Sequence, residues 1–132
     1  MQTREIPKEE WTEFFDTFSR QHEGWLITME IFGDEIGAQV QDRELTFQGI
    51  TDEWDELSGN TITVMTGGKP EEHITHNIDL PTQVSLEQTD EGDDLALAIK
   101  SADATTALLR FRSPMLPEWI DGVVPSVTQV PL

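Results

Sequence analysis

His73-Ile74-Thr75-His76 sets two of the chain's three histidines three positions apart. On a helix that spacing puts both imidazoles on one face, where they could grip a single metal ion. Pro70 and Pro81 bracket the stretch, however, and it is rich in Ile and Thr, which predicts a strand. On a strand, Ile74, His76 and Ile78 share one face, and His73, Thr75 and Asn77 share the other. The two imidazoles then point apart and cannot chelate one ion. His76 falls among apolar neighbours, where a histidine ordinarily hydrogen-bonds a carbonyl or a carboxylate. Its functional alternative is a polar anchor lining the interior of a ligand-binding barrel. His22 is expected at the C-terminus of a helix, where a cation interacts well with the helix dipole. A metal-dependent enzyme would need His22 to meet His73 or His76 beside nearby carboxylates. Neither a catalytic nor a metal-ligating residue is assigned on that basis, and no cofactor is expected.

Arg110 and Arg112 share a strand face and are two of five arginines in a very acidic chain. A guanidinium fork suits bidentate pairing with carboxylates, either on a neighbouring strand or on a partner. Thr89 to Asp94 (TDEGDD) gathers carboxylates around Gly92 but lacks the alternating ligands and distal Glu of an EF-hand, so a solvated hairpin turn is expected. Asp52 to Leu57 (DEWDEL) reads as an exposed stretch of the acidic loop over residues 51–60 or as a short helical turn, with Trp54 tucked inward and an interaction role only secondary. Gly67-Gly68-Lys69 lacks the upstream glycine and following Ser or Thr of a phosphate loop.

These residues sit in a chain of 132 amino acids, enough for one domain with a sizeable core. Twenty-six Asp and Glu oppose eight Lys and Arg, giving a formal charge of −18. No Lys/Arg run exists to release counterions from phosphates, which argues against a nucleic-acid partner. Cysteine is absent, so disulfides, thiolate catalysis and Cys-based zinc sites are excluded. No apolar signal-peptide core or membrane-length apolar run is present, and a soluble cytoplasmic protein with no membrane partner is expected.

The period of the apolar residues predicts the elements. Trp11, Phe14, Phe15 and Phe18 fall at i, i+3, i+4 and i+7, one face of a helix over residues 7–22 that Pro7 begins and Gly24 ends. From Trp25 the period becomes two. Strands are expected over residues 25–32, 36–41, 45–48, 61–66, the HITH stretch, 82–88, 95–100 and 105–112. In the last pair, facing Leu97 with Leu109 requires an odd-numbered loop such as Ala102-Asp103-Ala104. After Ser113 the four prolines Pro114, Pro117, Pro125 and Pro131 forbid a long helix. The expected organisation is a single α+β domain over residues 1–113 and an extended Pro-rich tail over 114–132. In the domain, an amphipathic helix packs on a curved antiparallel meander of about six to eight strands, with closure toward a barrel left open by the sequence. The tail carries Trp119 and docks on the domain or on a partner.

Several segments together, REIPKEEWTEFFDTFSRQHEGWL, GAQV, HITHNI, QTDEGDD and LLRFRSPMLPE, resemble a prokaryotic domain-of-unknown-function family numbered fifty-three thirty-five. The resemblance spans roughly residues 3 to 122 and implies a standalone domain, with no activity, cofactor or site residue to carry over. The leading functional expectation is a non-enzymatic module that binds a protein partner or itself, with His76, Arg110, Arg112 and Trp119 as candidate binding residues. Acid excess with only three lysines also points to adaptation to a salt-accumulating cytoplasm. Salt at about 1 M shortens the Debye length to about 3 Å and removes most of the self-repulsion of such a surface. The melting temperature should therefore climb from low to multi-molar KCl, and a flat or falling curve would refute salt adaptation.

Overall fold

The computed structural model describes residues 2–33 and 37–113. β1 (Gln2–Ile6) leads through a 3-10 turn (Lys8–Glu10) into helix α1 (Trp11–His22). Then come β2 (Leu26–Gly33), β3 (Gly37–Asp55), β4 (Gly59–Thr66), a second 3-10 turn (Pro70–Glu72), β5 (Ile74–Asp79), β6 (Pro81–Gln88), β7 (Asp94–Ser101) and β8 (Thr106–Arg112). All pairings are antiparallel, in the order β1-β6-β7-β8-β2-β3-β4-β5. The strand order corrects the expected meander. β8 pairs with β2, far back in the chain, and the N-terminal residues supply a strand the sequence reading did not anticipate.

The sheet is strongly curled. Eight strands at about 4.8 Å spacing would span about 34 Å if flat, whereas a helix of 12 residues is about 18 Å long. Yet one core cluster draws on α1 and on every strand, from Ile6 on β1 through Ile78 on β5 to Phe111 on β8. Leu80 alone links β5, at one end of the strand order, to β6 near the other end. Its N–H donates to the Asn60 carbonyl at 3.0 Å, and its carbonyl accepts from the Ala102 N–H at 3.0 Å. No ladder joins β5 to β6 or β1 among the described residues, so the sheet is not closed. The space inside the curl is filled, because Phe47, Ile62, Val64, Val84, Leu97, Ile99 and Leu109 are fully buried there.

β3 is the element that reading by period divides wrongly. Residues 37–41, 45–48 and the first half of the expected acidic loop, 51–55, fall in one 19-residue strand, Gly37–Asp55. Its first part pairs with β2 as far as Thr46, and from Phe47 onward its ladder partner is β4. At the corner the Phe47 N–H donates to the Trp25 carbonyl (2.8 Å) and the Phe47 carbonyl accepts from the Gly24 N–H (2.9 Å). Beyond it, α1 takes the place of the missing strand. Ser19 Oγ accepts from the Ile50 N–H at 2.9 Å and donates to the Ile50 carbonyl at 3.1 Å, which is what a neighbouring strand residue would do. Gly49 lies beside this contact, and a Cβ built there would be in ordinary van der Waals contact with Ser19 Oγ, at 3.6 Å.

The β7–β8 hairpin has the expected odd loop. Leu97 faces Leu109 and Ile99 faces Ala107, with Ala102-Asp103-Ala104 at the turn. Ala104 takes the left-handed conformation (φ +71) that closes such a loop. Asp103 accepts from the Thr105 hydroxyl (2.6 Å) and the Thr105 N–H (3.0 Å), which hold its carboxyl below the usual aspartate range.

Because Ser19 serves both backbone groups of buried Ile50, Ser19→Ala should lower the unfolding free energy by about 1–3 kcal/mol, with Ser19→Thr restoring part of it. Urea denaturation checks this; a change below about 0.5 kcal/mol for the alanine variant would mean that Ser19 does not brace β3.

Candidate functional site

The most enclosed titratable group is His22, the last residue of α1. Its ring stacks on Phe18 at a centroid distance of 4.0 Å and meets the edge of Trp25 at 4.6 Å. Nδ1 lies 2.9 Å from the Phe18 carbonyl, and Nε2 lies 3.1 Å from Asp94 Oδ2, with side-chain exposures of 4% for His22 and 18% for Asp94. The second Asp94 oxygen accepts from Gln88 Nε2 at 2.8 Å. Gln88, Asp94, His22 and the Phe18 carbonyl thus form one continuous chain tying the helix end to the β6–β7 hairpin.

That arrangement decides what His22 can do. A carbonyl oxygen and a carboxylate oxygen lie within hydrogen-bond range of its two nitrogens, so both ring nitrogens are engaged within the protein. The residue anchors the hairpin in addition to meeting the helix end. TDEGDD is a hairpin turn as expected, with Thr89 N–H bonded to the Asp93 carbonyl at 2.9 Å and Gly92 at φ +94. Asp94 departs from the expected solvated turn, since it is drawn into this network. A half-open cleft of about 560 Å³ lies over the network, walled by Trp25, Leu95 and Phe111.

The other histidines lie elsewhere. His73 is exposed and precedes β5, while His76 is half-buried on β5, opposite Val64 and on the same side as buried Ile78. Among the described residues no group of three or more His, Asp or Glu side chains is arranged to hold a metal ion, so His22 is not gathered with His73 or His76 into such a site. Arg110 Nε meets Glu30 Oε1 at 2.8 Å, and Arg112 Nη2 meets Glu44 Oε2 at 2.9 Å. Both pairs cross between strands on the outer surface, where an ion pair is worth about 0–1 kcal/mol. Trp119 and the rest of the tail lie outside the described residues. No helix among the described residues is long and apolar enough to cross a membrane.

The feature that sequence reading inverted is Trp54. Residues 51–55 continue β3 and form a hairpin with β4 whose three-residue turn is closed by the Asp55–Gly59 pair. The Asp55 carboxylate accepts from the Leu57 N–H at 2.8 Å, and Gly59 takes φ +81. Trp54 is 69% exposed and Leu57 is 98% exposed. The reason is the length of the helix. Thr12, the second residue of α1, bonds Asp52 Oδ2 at 3.2 Å, so two residues farther along β3 Trp54 has passed the helix end. Leu80, also exposed, bonds the carbonyl of Asn60, which lies opposite Trp54. A period-two reading extended through Glu53 and Trp54 could have found the hairpin. Its polar composition concealed it.

Sequence comparison places this geometry in a family. The sequence model of the family of unknown function DUF5335 matches residues 2–118. The chain belongs to that family. No curated protein and no solved structure matches it. Membership in DUF5335 assigns no activity, so the functional reading rests on the geometry.

Asp94→Ala would leave an enclosed imidazole facing nothing, and should cost about 2–3 kcal/mol in urea denaturation. Asp94→Asn, which keeps an acceptor, should cost less. Equal stability of wild type and the alanine variant would remove the anchoring role of the pair.

Proposed function

We propose that this DUF5335 member is a non-enzymatic interaction module that engages a protein partner through the tip of its β3–β4 hairpin. One observation carries the reading: Trp54 and Leu57 stand largely in solvent on a tightly closed turn. Single exposed apolar residues are ordinary, but here a Trp and a Leu stand three positions apart on a braced tip, with exposed Leu80 bonded to Asn60 at its base. Tryptophan is also the side chain most enriched among residues that dominate binding energies.

Asp52, Glu53, Asp55 and Glu56 flank the tip. Two copies meeting tip to tip would set these carboxylates against one another, so the fitting partner offers an apolar pocket with a basic rim. Two observations weigh against the alternatives. Among the described residues the inner faces of the strands pack into one core, which weighs against an interior chamber with His76 as its anchor, and His22 has both nitrogens engaged. Arg110 and Arg112 are already paired with Glu30 and Glu44, which makes the hairpin the better candidate surface.

Trp54→Ser with Leu57→Ser separates binding from folding. Exposed positions of this kind should change stability by no more than about 0.5 kcal/mol, while binding of a partner recovered by photo-crosslinking at Leu57 should weaken about 30-fold or more. Undiminished binding by the double variant would overturn the tip as the interface. A dimer at molar salt that the same variant dissolves would convert the reading into self-association.

A further inference from the structure

Past Phe47, one side of β3 carries no strand among the described residues. The direction of its backbone groups follows from Ser19. Ile50 turns both its N–H and its carbonyl to that hydroxyl, away from β4. Backbone groups on one edge of a strand recur at every second residue. Asp52 and Trp54 therefore present N–H and C=O on the same side as Ile50, while Thr51 and Glu53 turn theirs toward β4. The helix covers the edge at Ile50 and touches it last at Asp52, through the Thr12 hydroxyl. From there to the hairpin tip no strand or helix among the described residues covers the edge.

A groove of about 790 Å³ runs between α1 and this edge. The carboxylates of Glu9, Glu13, Asp16, Asp52 and Glu53 line it, Asp16 being paired with Arg20 at 2.9 Å, and no Lys or Arg among the described residues lines it. The two outer edges of the sheet differ from it. β1 carries Arg4 beside Glu5, and β5 exposes Thr75, Asn77 and Asp79, a polar edge with a single carboxylate. The β3 edge joins backbone groups that no described strand covers to a predominantly acidic groove.

We propose that the β3 edge at residues 52–54 takes up an extended cationic segment of a partner protein as an added strand. The inference deepens the hairpin-tip reading and rests on it for the identity of the interacting region. The partner's main chain would pair with Asp52 and Trp54, giving affinity without sequence preference. Its side chains alternate between faces, so Lys or Arg at every second position meets the carboxylates of the groove. A second copy of this chain fits poorly, because its acidic residues would enter an acidic groove. A nucleic acid is repelled outright.

The test uses the full-length chain, ¹⁵N-labelled, with three synthetic peptides. One alternates lysine and valine, the second is the same peptide N-methylated at alternate residues along its pairing edge, and the third alternates glutamate and valine. The lysine peptide should slow amide exchange at Asp52 and Trp54 by about tenfold or more, at low and at molar salt. The N-methylated and glutamate peptides should leave both amides unchanged. Asp52→Pro, which removes a donor from the open edge and none from the β4 ladder, should abolish the protection. Equal binding of the methylated peptide, or binding that leaves Asp52 and Trp54 unprotected, would show that the surface merely collects cations and would overturn the proposal. The Trp54→Ser, Leu57→Ser variant separates the two readings, because strand addition uses main chain and the tip uses side chains. Protection retained in that variant supports strand addition even if the tip proves dispensable for the natural partner. Protection lacking in the wild type sinks strand addition and leaves the tip untouched.

Discussion

Everything else in this protein depends on β3 changing lateral partners without breaking. A strand that leaves one neighbour for another must satisfy its backbone on the side it abandons. Here Gly24 and Trp25 serve Phe47, and Ser19 serves Ile50. The helix is thus part of the sheet's hydrogen bonding as well as its cover. That fixed position brings Phe18 edge-on to Phe47 (6.2 Å) and Phe111 (5.1 Å), with Phe47 edge-on to Phe111 at 5.0 Å. It also delivers His22 to Asp94, so the corner in β3 and the anchor on the β6–β7 hairpin are two ends of one placement. Four elements meet there through aromatic edges and the His22–Asp94 contact.

Much of this was legible from residue order, and the parts that were not share a cause. The helix showed in Trp11, Phe15 and Phe18, all buried as their spacing demands. The β7–β8 register followed from parity alone. HITH resolved correctly into an exposed His73 and an inward-leaning His76, because β5 is short and clearly alternating. β3 misled because its polar residues, Gly49 and the acidic run after Ile50 look like turn chemistry, while its continuity is imposed by β2, β4 and Ser19. β1 misled because four of its five residues are exposed and give no apolar period. The His22–Asp94 contact joins residues far apart in sequence, and neither shows anything locally that names the other. Tertiary partners made these features, and local pattern does not record them.

The acidity of the chain has two physical meanings that the structure helps to separate. Carboxylates scattered over an outer face keep a protein soluble and are balanced where they meet cations, as Glu30 and Glu44 are by Arg110 and Arg112. Carboxylates that converge on a groove with few cations make its potential more negative and leave a demand that a partner or solvent ions can meet. The groove between α1 and β3 is nearer the second kind, although Asp16 among its carboxylates is paired with Arg20. Screening by salt weakens the first effect over distance far more than it weakens contacts made at hydrogen-bond range.

That distinction bears on how so acidic a protein can recognise anything at high salt. Long-range steering is largely lost once the Debye length falls to about 3 Å. What remains is contact: apolar burial, main-chain hydrogen bonds and close ion pairs. The β3–β4 hairpin offers all three within a few residues, with Trp54 and Leu57 at its tip, the backbone of Asp52 and Trp54 along its edge, and Glu53 and Asp52 beside them. Its stiffness matters as much as its composition, since the Asp55–Leu57 bond and the left-handed Gly59 hold the turn before any partner arrives. A tip already ordered loses little conformational entropy on binding, so more of the contact energy is expressed as affinity. The exposure of Trp54 is then best understood as a consequence of the helix ending where it does, on the one strand whose edge the helix only partly covers.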